Sequence, residues 1–259
     1  MDLNLPMHLA DGYKSKSQIA RVTTEAWVLQ NVSCPNCDLP LNEYPANQKS
    51  KDVFCNLCDS EFQIKSSKKR FSEKITGAEY NTTLNSVRNG NHPSLMLLFY
   101  DENSMRVVDF EIIHYSFLKE NCIIPRKPLS PSAKRRGWQG CLISICDVPK
   151  IARIFIVKDG SINNTEKAIE KWKASNTATR YSIESRGWLS DVLSIIDKQS
   201  STFDLDDLYA YENHFIKLHP SNNNIQAKIR QQLQIIRDMG MLEFIERGKY
   251  RKIGVLLNG

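Results

Sequence analysis

Two C-x2-C pairs, Cys34/Cys37 and Cys55/Cys58, separated by a spacer of seventeen residues, constrain this chain more than any other feature. Each pair turns two sulfurs toward one point, so four thiolates at this spacing match the tetrahedral demand of structural zinc. A full shell of four sulfurs leaves no position for a catalytic water. The expected ion therefore ties the loop that begins at Cys34 to the segment that ends at Cys58, and stabilises what lies around it. The chain has seven cysteines, an odd number, which suits a metal site in a reducing compartment better than a disulfide framework. Cys122, Cys141 and Cys146 read as free thiols.

A length of 259 residues suits one large domain or two smaller ones, and an apolar share of 41% suffices for an ordinary globular core. The formal charge of +6 is moderate, yet the basic residues come in clusters, which favours a polyanionic partner. No run approaches the roughly 18 apolar residues of a membrane span, and the opening MDLNLPMHLADGYK lacks the basic-then-apolar layout of a secretion signal. The expectation is a cytoplasmic protein whose partner is neither a membrane nor a small-molecule substrate.

The pattern predicts a helix over 17–31, with Ile19, Val22, Ala26, Trp27 and Leu29 near helical spacing and Ser17 as its N-cap. After the cysteine pairs comes a short alternating strand, Glu61 to Lys65, whose period of two sends Glu61, Gln63 and Lys65 to one face. A helix from about Gly77 to Arg88, strands at Leu95–Tyr100 and Arg106–Ile113, a long basic proline-containing loop over 121–138, strands at Cys141–Cys146 and Ile154–Val157, and a helix at Thr165–Lys173 complete a mixed α/β unit. The polar stretch Ala174 to Arg180 reads as a linker, because three amphipathic helices and a terminal hairpin follow it. The expected division is 1–180 and 181–259.

Metal-dependent phosphodiester hydrolysis needs carboxylate oxygens to hold magnesium and commonly a lysine near the attacking water or the pentacovalent phosphate. Asp52 and Lys65 supply both groups; on adjacent strands of a hairpin they converge although thirteen positions apart, with Gln63 beside Lys65. The pattern D-x10-Q-x-K resembles the PD-(D/E)xK nuclease superfamily, with glutamine where the second acid usually stands. Taken alone, the pattern is better explained by alternating polar residues on a solvated strand. A glutamine amide oxygen coordinates a cation but brings no charge, which leaves Asp52 as the clearest anionic ligand and implies weaker magnesium binding. Glu61 could add a carboxylate through water, its plain reading being a surface residue, and Glu25 on the opening helix is a more remote candidate. Lys68, Lys69 and Arg70 read either as phosphate-neutralising or as a solvated charge run.

Beyond residue 180 the spacing predicts a helix from Arg186 to Asp197 with Leu189, Val192, Leu193 and Ile196 inward, and a second from Leu205 to Leu218 capped by Asp204. A third runs from Ile225 to Met239 with the stripe Ile225, Ile229, Leu233 and Ile236, and Gly240 stops it. Arg230, Gln231 and Gln234 then face outward, where arginine and glutamine match guanine and adenine edges in a major groove. The ending MLEFIERGKYRKI reads as a hairpin with Gly248 at its tip and Arg247, Lys249, Arg251 and Lys252 open to phosphates. Three helices and a basic hairpin resemble a winged helix. Trp188 and Tyr250 are assigned to packing.

Taken together, the cysteine pairs, the QIKS strand, the segments IPRKPLSPSAKRRGWQGC and SRGW and the ending KIRQQLQIIRDMGMLEFIERGKYRK resemble DpnI-type methyl-directed restriction endonucleases over nearly the whole chain. The resemblance implies an α/β PD-(D/E)xK nuclease domain with an embedded four-cysteine zinc site, followed by a small winged-helix domain. It implies a type II site-specific deoxyribonuclease that cuts both strands of double-stranded DNA at GATC when the adenine carries N6-methylation, with Mg2+ supporting hydrolysis. The family's Asp and Lys fall at Asp52 and Lys65, and its Glu falls at Gln63. On that reading Asp52, the Gln63 amide and the Ile64 carbonyl hold magnesium, and Lys65 orients or deprotonates the attacking water. In the basic loop, Lys134, Arg135 and Arg136 approach the DNA backbone while Trp138 contacts a base or methyl group; a loop-anchoring tryptophan is the competing reading. A buried methyl group is worth only about 0.8 kcal/mol, so methyl dependence calls for reading by both domains or a penalty for an empty pocket. The main alternative is a non-cleaving methyl-DNA reader in which Gln63 has ended hydrolysis. A zinc-ribbon protein-interaction module is disfavoured by the arginine- and glutamine-bearing third helix.

Overall fold

The computed structural model describes residues 1–45 and 51–253. Its N-terminal part opens with α1 (Lys16–Asn31), followed by β1 (Asn42–Glu43), β2 (Val53–Phe54) and β3 (Glu61–Ser67). β4 (Lys74–Glu79) runs directly into α2 (Tyr80–Arg88), and the long pair β5 (Ser94–Asp101) and β6 (Arg106–Ile113) comes next. The short β7 (Ile123–Pro125) and β8 (Gly140–Ser144) precede β9 (Arg153–Lys158), β10 (Ser161–Ile162) and α3 (Thr165–Thr177). Seven strands form one sheet in the order β1-β2-β3-β5-β6-β9-β10, while β4, β8 and β7 form a smaller one. β3 and β5 run parallel, which requires a crossover, and β4 with α2 provides it.

Register sorts the side chains between two faces. Gln63 and Lys65 lie beside Leu95 and Leu97 in the β3–β5 ladder, and those leucines share a core with Ile75, Leu84, Val87 and Ile143 from the small sheet and α2. The alternate residues Phe62, Met96 and Leu98 join the other core, closed by Trp27 and Val28 of α1 and Trp172 of α3. Trp27 meets Phe110 edge-on at 5.3 Å between centroids, a favoured aromatic geometry. The two polar residues of β3 therefore sit on a largely apolar face, where they need a functional or hydrogen-bonding reason.

Several boundaries differ from expectation. α1 is capped at Ser15, not Ser17, and it buries Thr23 and Thr24, whose hydroxyls donate to the carbonyls of Ile19 (2.9 Å) and Ala20 (2.7 Å). The helix expected from Gly77 begins at Tyr80, because Glu79 pairs with Gly140 of β8 and its carboxylate then caps α2 by accepting from the N–H groups of Asn81 and Thr82. The expected loop over 121–138 contains β7. Ala174–Arg180 is not a linker: it is the end of α3 and a 3-10 turn, with Ser175 and Ala178 fully buried. The polarity there is satisfied internally, as when the Ser175 hydroxyl donates to the Ile151 carbonyl at 3.2 Å.

The C-terminal part comprises α4 (Ile183–Ile196), β11 (Thr202–Asp204), α5 (Leu205–Tyr209), α6 (Glu212–Leu218), α7 (Ile225–Asp238), β12 (Leu242–Glu246) and β13 (Lys249–Lys252). The single helix expected over Leu205–Leu218 is broken at Ala210 and Tyr211 into α5 and α6, and Asp204 with Asp207 forms a capping box at its start. The terminal hairpin gains a third strand, in the order β11-β13-β12. Helices plus this small sheet make a helix-turn-helix unit with a wing. The expected domain limit at residue 259 lies outside the described residues.

One continuous core joins the two parts: Ile113, Phe117 and Ile143 belong to the same buried cluster as Trp188, Leu193, Leu233 and Ile236. Polar contacts reinforce it. Asp191 of α4 accepts from Lys119 and lies 3.0 Å from His219 Nε2, and the Lys150 N–H donates to Asp197 at 2.8 Å. Trp188 packs as expected, stacked 3.7 Å from the His219 ring and 5.9 Å from Phe215.

Candidate functional site

The two cysteine pairs fold as matching knuckles. The Cys34 carbonyl accepts the Asp38 N–H at 2.8 Å and the Cys55 carbonyl accepts the Asp59 N–H at 3.1 Å, and both aspartates take positive φ, 58° and 54°. A short acidic residue tolerates that left-handed turn. The four sulfurs all lie within 4.8 Å of one another, with Cys34–Cys58 at 3.5 Å, Cys37–Cys55 at 3.2 Å and Cys37–Cys58 at 3.8 Å. A tetrahedral zinc with Zn–S near 2.3 Å has sulfur–sulfur edges of about 3.8 Å, so the cluster fits a structural zinc ion. Burial pushes the Cys34 thiol up, whereas at Cys58 the Ser60 hydroxyl and N–H more than offset burial and lower the thiol to about 6.

Three residues before Cys55, Asp52 enters the β2–β3 pairing. Its N–H donates to the Phe62 carbonyl at 2.9 Å, and its Oδ2 accepts the Ile64 N–H at 2.7 Å. Because Val53 pairs with Phe62, Asp52 stands opposite Gln63. Burial raises the Asp52 carboxyl, while the Ile64 N–H, Lys65 and Arg21 act against that rise. Burial likewise lowers the Lys65 ammonium, against the opposing pull of Asp52 and Cys141. Gln63 is only 6% exposed. It lines a cavity of about 180 Å3 with Thr82, Thr83, Ser86 and His92. A mostly buried amide opposite an aspartate, next to a desolvated lysine, is a donor set that a magnesium ion fits, with less negative charge than two carboxylates would offer.

The fold also raises the standing of Glu25. From α1 it pairs with Arg21 at 3.9 Å, and burial together with the nearby Asp52 and Glu43 lifts its carboxyl to about 7 despite Arg21. The sequence signal for this was faint, a half-buried acid on an amphipathic helix, since nothing local links α1 to the hairpin. Glu61 is engaged within the protein: it accepts from the Tyr44 hydroxyl at 2.6 Å and pairs with Lys51 at 2.5 Å, in line with its plain reading as a surface residue. The run after β3 is neutralised as well. Lys68 pairs with Glu102 at 2.8 Å, and Arg70 with Asp109 at 2.8 Å and Asp159 at 2.5 Å, so those two cations serve the protein's own acids.

The basic loop is anchored near this site. The Tyr80 N–H at the start of α2 donates to the Gln139 carbonyl at 2.9 Å, and the Arg126 N–H donates to the Gly140 carbonyl at 2.9 Å. Trp138 lies over Gly140, where a Cβ would come within 2.9 Å of the indole, and the Arg135 guanidinium sits 4.7 Å from the ring centroid. The indole stays half-buried while Lys134, Arg135 and Arg136 are exposed. Trp138 thus anchors its loop and still offers an edge to solvent.

On α7 the inward stripe Ile225, Ile229, Leu233 and Ile236 is buried, and Arg230, Gln231 and Gln234 are exposed. Arg230 Nη1 donates to the Tyr209 hydroxyl at 2.6 Å. In the wing Arg247 is exposed, Lys249 lies 3.4 Å from Glu246 and Arg251 lies 3.2 Å from Glu243. Lys252 does not reach solvent as expected: it is 8% exposed and its Nζ donates to the Gln199 carbonyl at 2.7 Å. Tyr250 packs between Phe203 and Phe244. Asn222, Asn224, Lys228 and Gln231 line a shallow groove at the start of α7, which an asparagine cluster just before an amphipathic helix could have signalled.

Two comparisons with protein families cover these parts. Residues 1–180 match the model described as DpnI: Dam-replacing family, and residues 184–252 match the model described as DpnI_C: Dam-replacing HTH domain.

Proposed function

On the premise that this chain belongs to the DpnI, or Dam-replacing, family, with its nuclease-family domain followed by a DNA-binding helix-turn-helix domain, we propose that it is a type II restriction endonuclease. It would hydrolyse both strands of GATC sites carrying N6-methyladenine. Residues 1–180 form the catalytic domain and 181–259 the DNA-binding domain in this reading. The observation that carries it is the convergence of Asp52, the mostly buried Gln63 amide and Lys65 on one hairpin beside the cysteine cluster.

Asp52, Gln63 and the Ile64 carbonyl would hold Mg2+, with Glu25 as a further carboxylate in electrostatic range of Asp52. The ion, when bound, supplies Lewis-acid stabilisation of the phosphorane charge. Lys65 contributes from the protein side: burial lowers its ammonium, which brings a free amine nearer to neutral pH and suits it to accept a proton from water or to orient it. The Ile64 N–H holds Asp52 Oδ2 in place at 2.7 Å and leaves Oδ1 for coordination. Lys134, Arg135, Arg136, Arg247, Lys249 and Arg251 are assigned to phosphates, Arg230, Gln231 and Gln234 to base edges, and Trp138 to a base or its methyl group.

A second reading rests on Gln63 itself: with one carboxylate fewer in the hairpin, the chain could bind methylated DNA without cutting it. The deciding experiment is cleavage of matched GATC duplexes, adenine-methylated and unmethylated, with magnesium or manganese, beside an Asp52→Ala control. Methyl-dependent cutting lost in the variant supports the nuclease. Methyl-selective binding with no cutting under either metal overturns it in favour of the reader.

A further inference from the structure

A second concentration of positive charge lies between β9 and α3, apart from the basic loop and the β2–β3 hairpin. Lys150, Lys158, Lys167 and Lys171 line a groove of about 780 Å3 between β9 and α3, together with Arg153, Asn163 and Asn164, and no carboxylate is among its lining residues. Arg153 is held by Glu111 at 2.8 Å. Lys167 and Lys171 stand four positions apart on α3, a spacing at which like charges repel. Burial lowers the Lys171 ammonium, and Lys158, Lys150 and Lys167 lower it further, with Asp197 as the opposing carboxylate. Glu166 and Glu170 share the helix but do not line the groove. Lys158 and Lys167 therefore add like charge to a groove that already holds Lys150, and a bound polyanion relieves that repulsion.

We infer that this groove binds the phosphodiester backbone of DNA outside the cleavage and base-reading contacts. The occupant follows from the donors: several flexible ammonium groups along an open groove suit a row of phosphates rather than one planar carboxylate. Position supports the separation from catalysis. The groove lies at the β9–β10 edge, whereas Gln63 and Lys65 lie on β3, three strands away in the sheet, about 14 Å at ordinary strand spacing. The α3 side of the groove also covers the sheet face opposite to theirs. Phosphate binding here adds affinity and footprint without sequence information. This role of the groove rests on the DNA-binding reading above.

The test uses full-length protein carrying Lys158→Gln and Lys167→Gln, singly and together, neither residue belonging to the proposed catalytic machinery. Binding to a methylated GATC duplex is measured by anisotropy across a salt series, with melting temperature as the folding control. The slope of log affinity against log salt should flatten by about 0.9 for each phosphate no longer neutralised, so by roughly 2 in the double variant. A double variant that binds with the slope and affinity of the unaltered protein overturns the inference while leaving the DNA-binding reading intact. Unaltered protein that binds no duplex sinks both. Inorganic phosphate that competes with the duplex no better than chloride at equal ionic strength supports a backbone site. Saturable phosphate binding abolished in the variants, with DNA binding unchanged, assigns the groove to free phosphate and overturns it.

Discussion

Replacing Gln63 by glutamate should have opposite effects with and without a divalent ion. The side chain is 6% exposed, stands opposite Asp52 and is two residues from Lys65. In metal-free protein the new carboxylate is desolvated and faces another acid, with partial relief from Lys65. A buried group left without its partner costs about 1–3 kcal/mol. At about 2–4 °C per kcal/mol for a chain of this size, the melting temperature should fall by roughly 2–12 °C. With magnesium present, the second carboxylate completes an acid pair. Ligand charge count shifts affinity for such ions by decades, so dissociation should slow and affinity rise by about tenfold to a hundredfold, equivalent to about 1.4–2.8 kcal/mol. Thermal denaturation with and without magnesium, and calorimetric titration of DNA-free protein, read both effects. An unchanged metal-free melting temperature, or a magnesium affinity equal to or below that of the unaltered protein, refutes the placement of Gln63 in a metal site.

Other perturbations have defined outcomes. Glu25, lifted to about 7 by burial and its acidic neighbours, holds a proton in the folded protein that the unfolded chain releases near its ordinary value. Metal-free stability should therefore fall as pH rises through that window, while divalent-ion affinity rises roughly tenfold between about pH 6 and 8; Glu25→Gln should flatten both, as calorimetry at several pH values would report. Cys55→Ser removes one of four clustered sulfurs at a fully buried position, and should abolish stoichiometric zinc in metal analysis and lower the melting temperature. Asp191→Asn strands the largely buried Lys119 without its counter-ion, a loss of about 3–5 kcal/mol in urea unfolding. The Asp191 carboxyl is lowered because His219 and Lys119 outweigh burial, so its contribution is present above the ordinary carboxylate range and fades as acid protonates it in the folded state. Gln232→Met should instead stabilise the protein by about 1–2 kcal/mol without altering DNA affinity, because both amide atoms of this fully buried glutamine lack partners among the described residues.

By itself the chain determined whatever depends on short spacing. Two C-x2-C pairs bring sulfurs together through a turn that each pair builds alone, and the period of two in β3 puts Gln63 beside Lys65 whatever the sheet around it. The 225–236 stripe likewise marks the buried side of α7 because helical period is a local property. Misplaced boundaries share a different cause: Gly77 to Glu79 look helical until β8 pairs with them, and Ala174 to Arg180 look solvated until Ile151 and the core of α3 accept their polar groups. Only tertiary structure brings Glu25 within electrostatic range of Asp52, turns Lys252 inward, and matches Lys68 to Glu102 in the β5–β6 turn and Arg70 to Asp109 on β6. It also collects Lys150, Lys158, Lys167 and Lys171 into one groove from three separate elements. Charge and burial depend on distances through space, and those are set by the packing of strands and helices far apart in the chain, so no local pattern records which cations are spent within the protein and which remain for DNA.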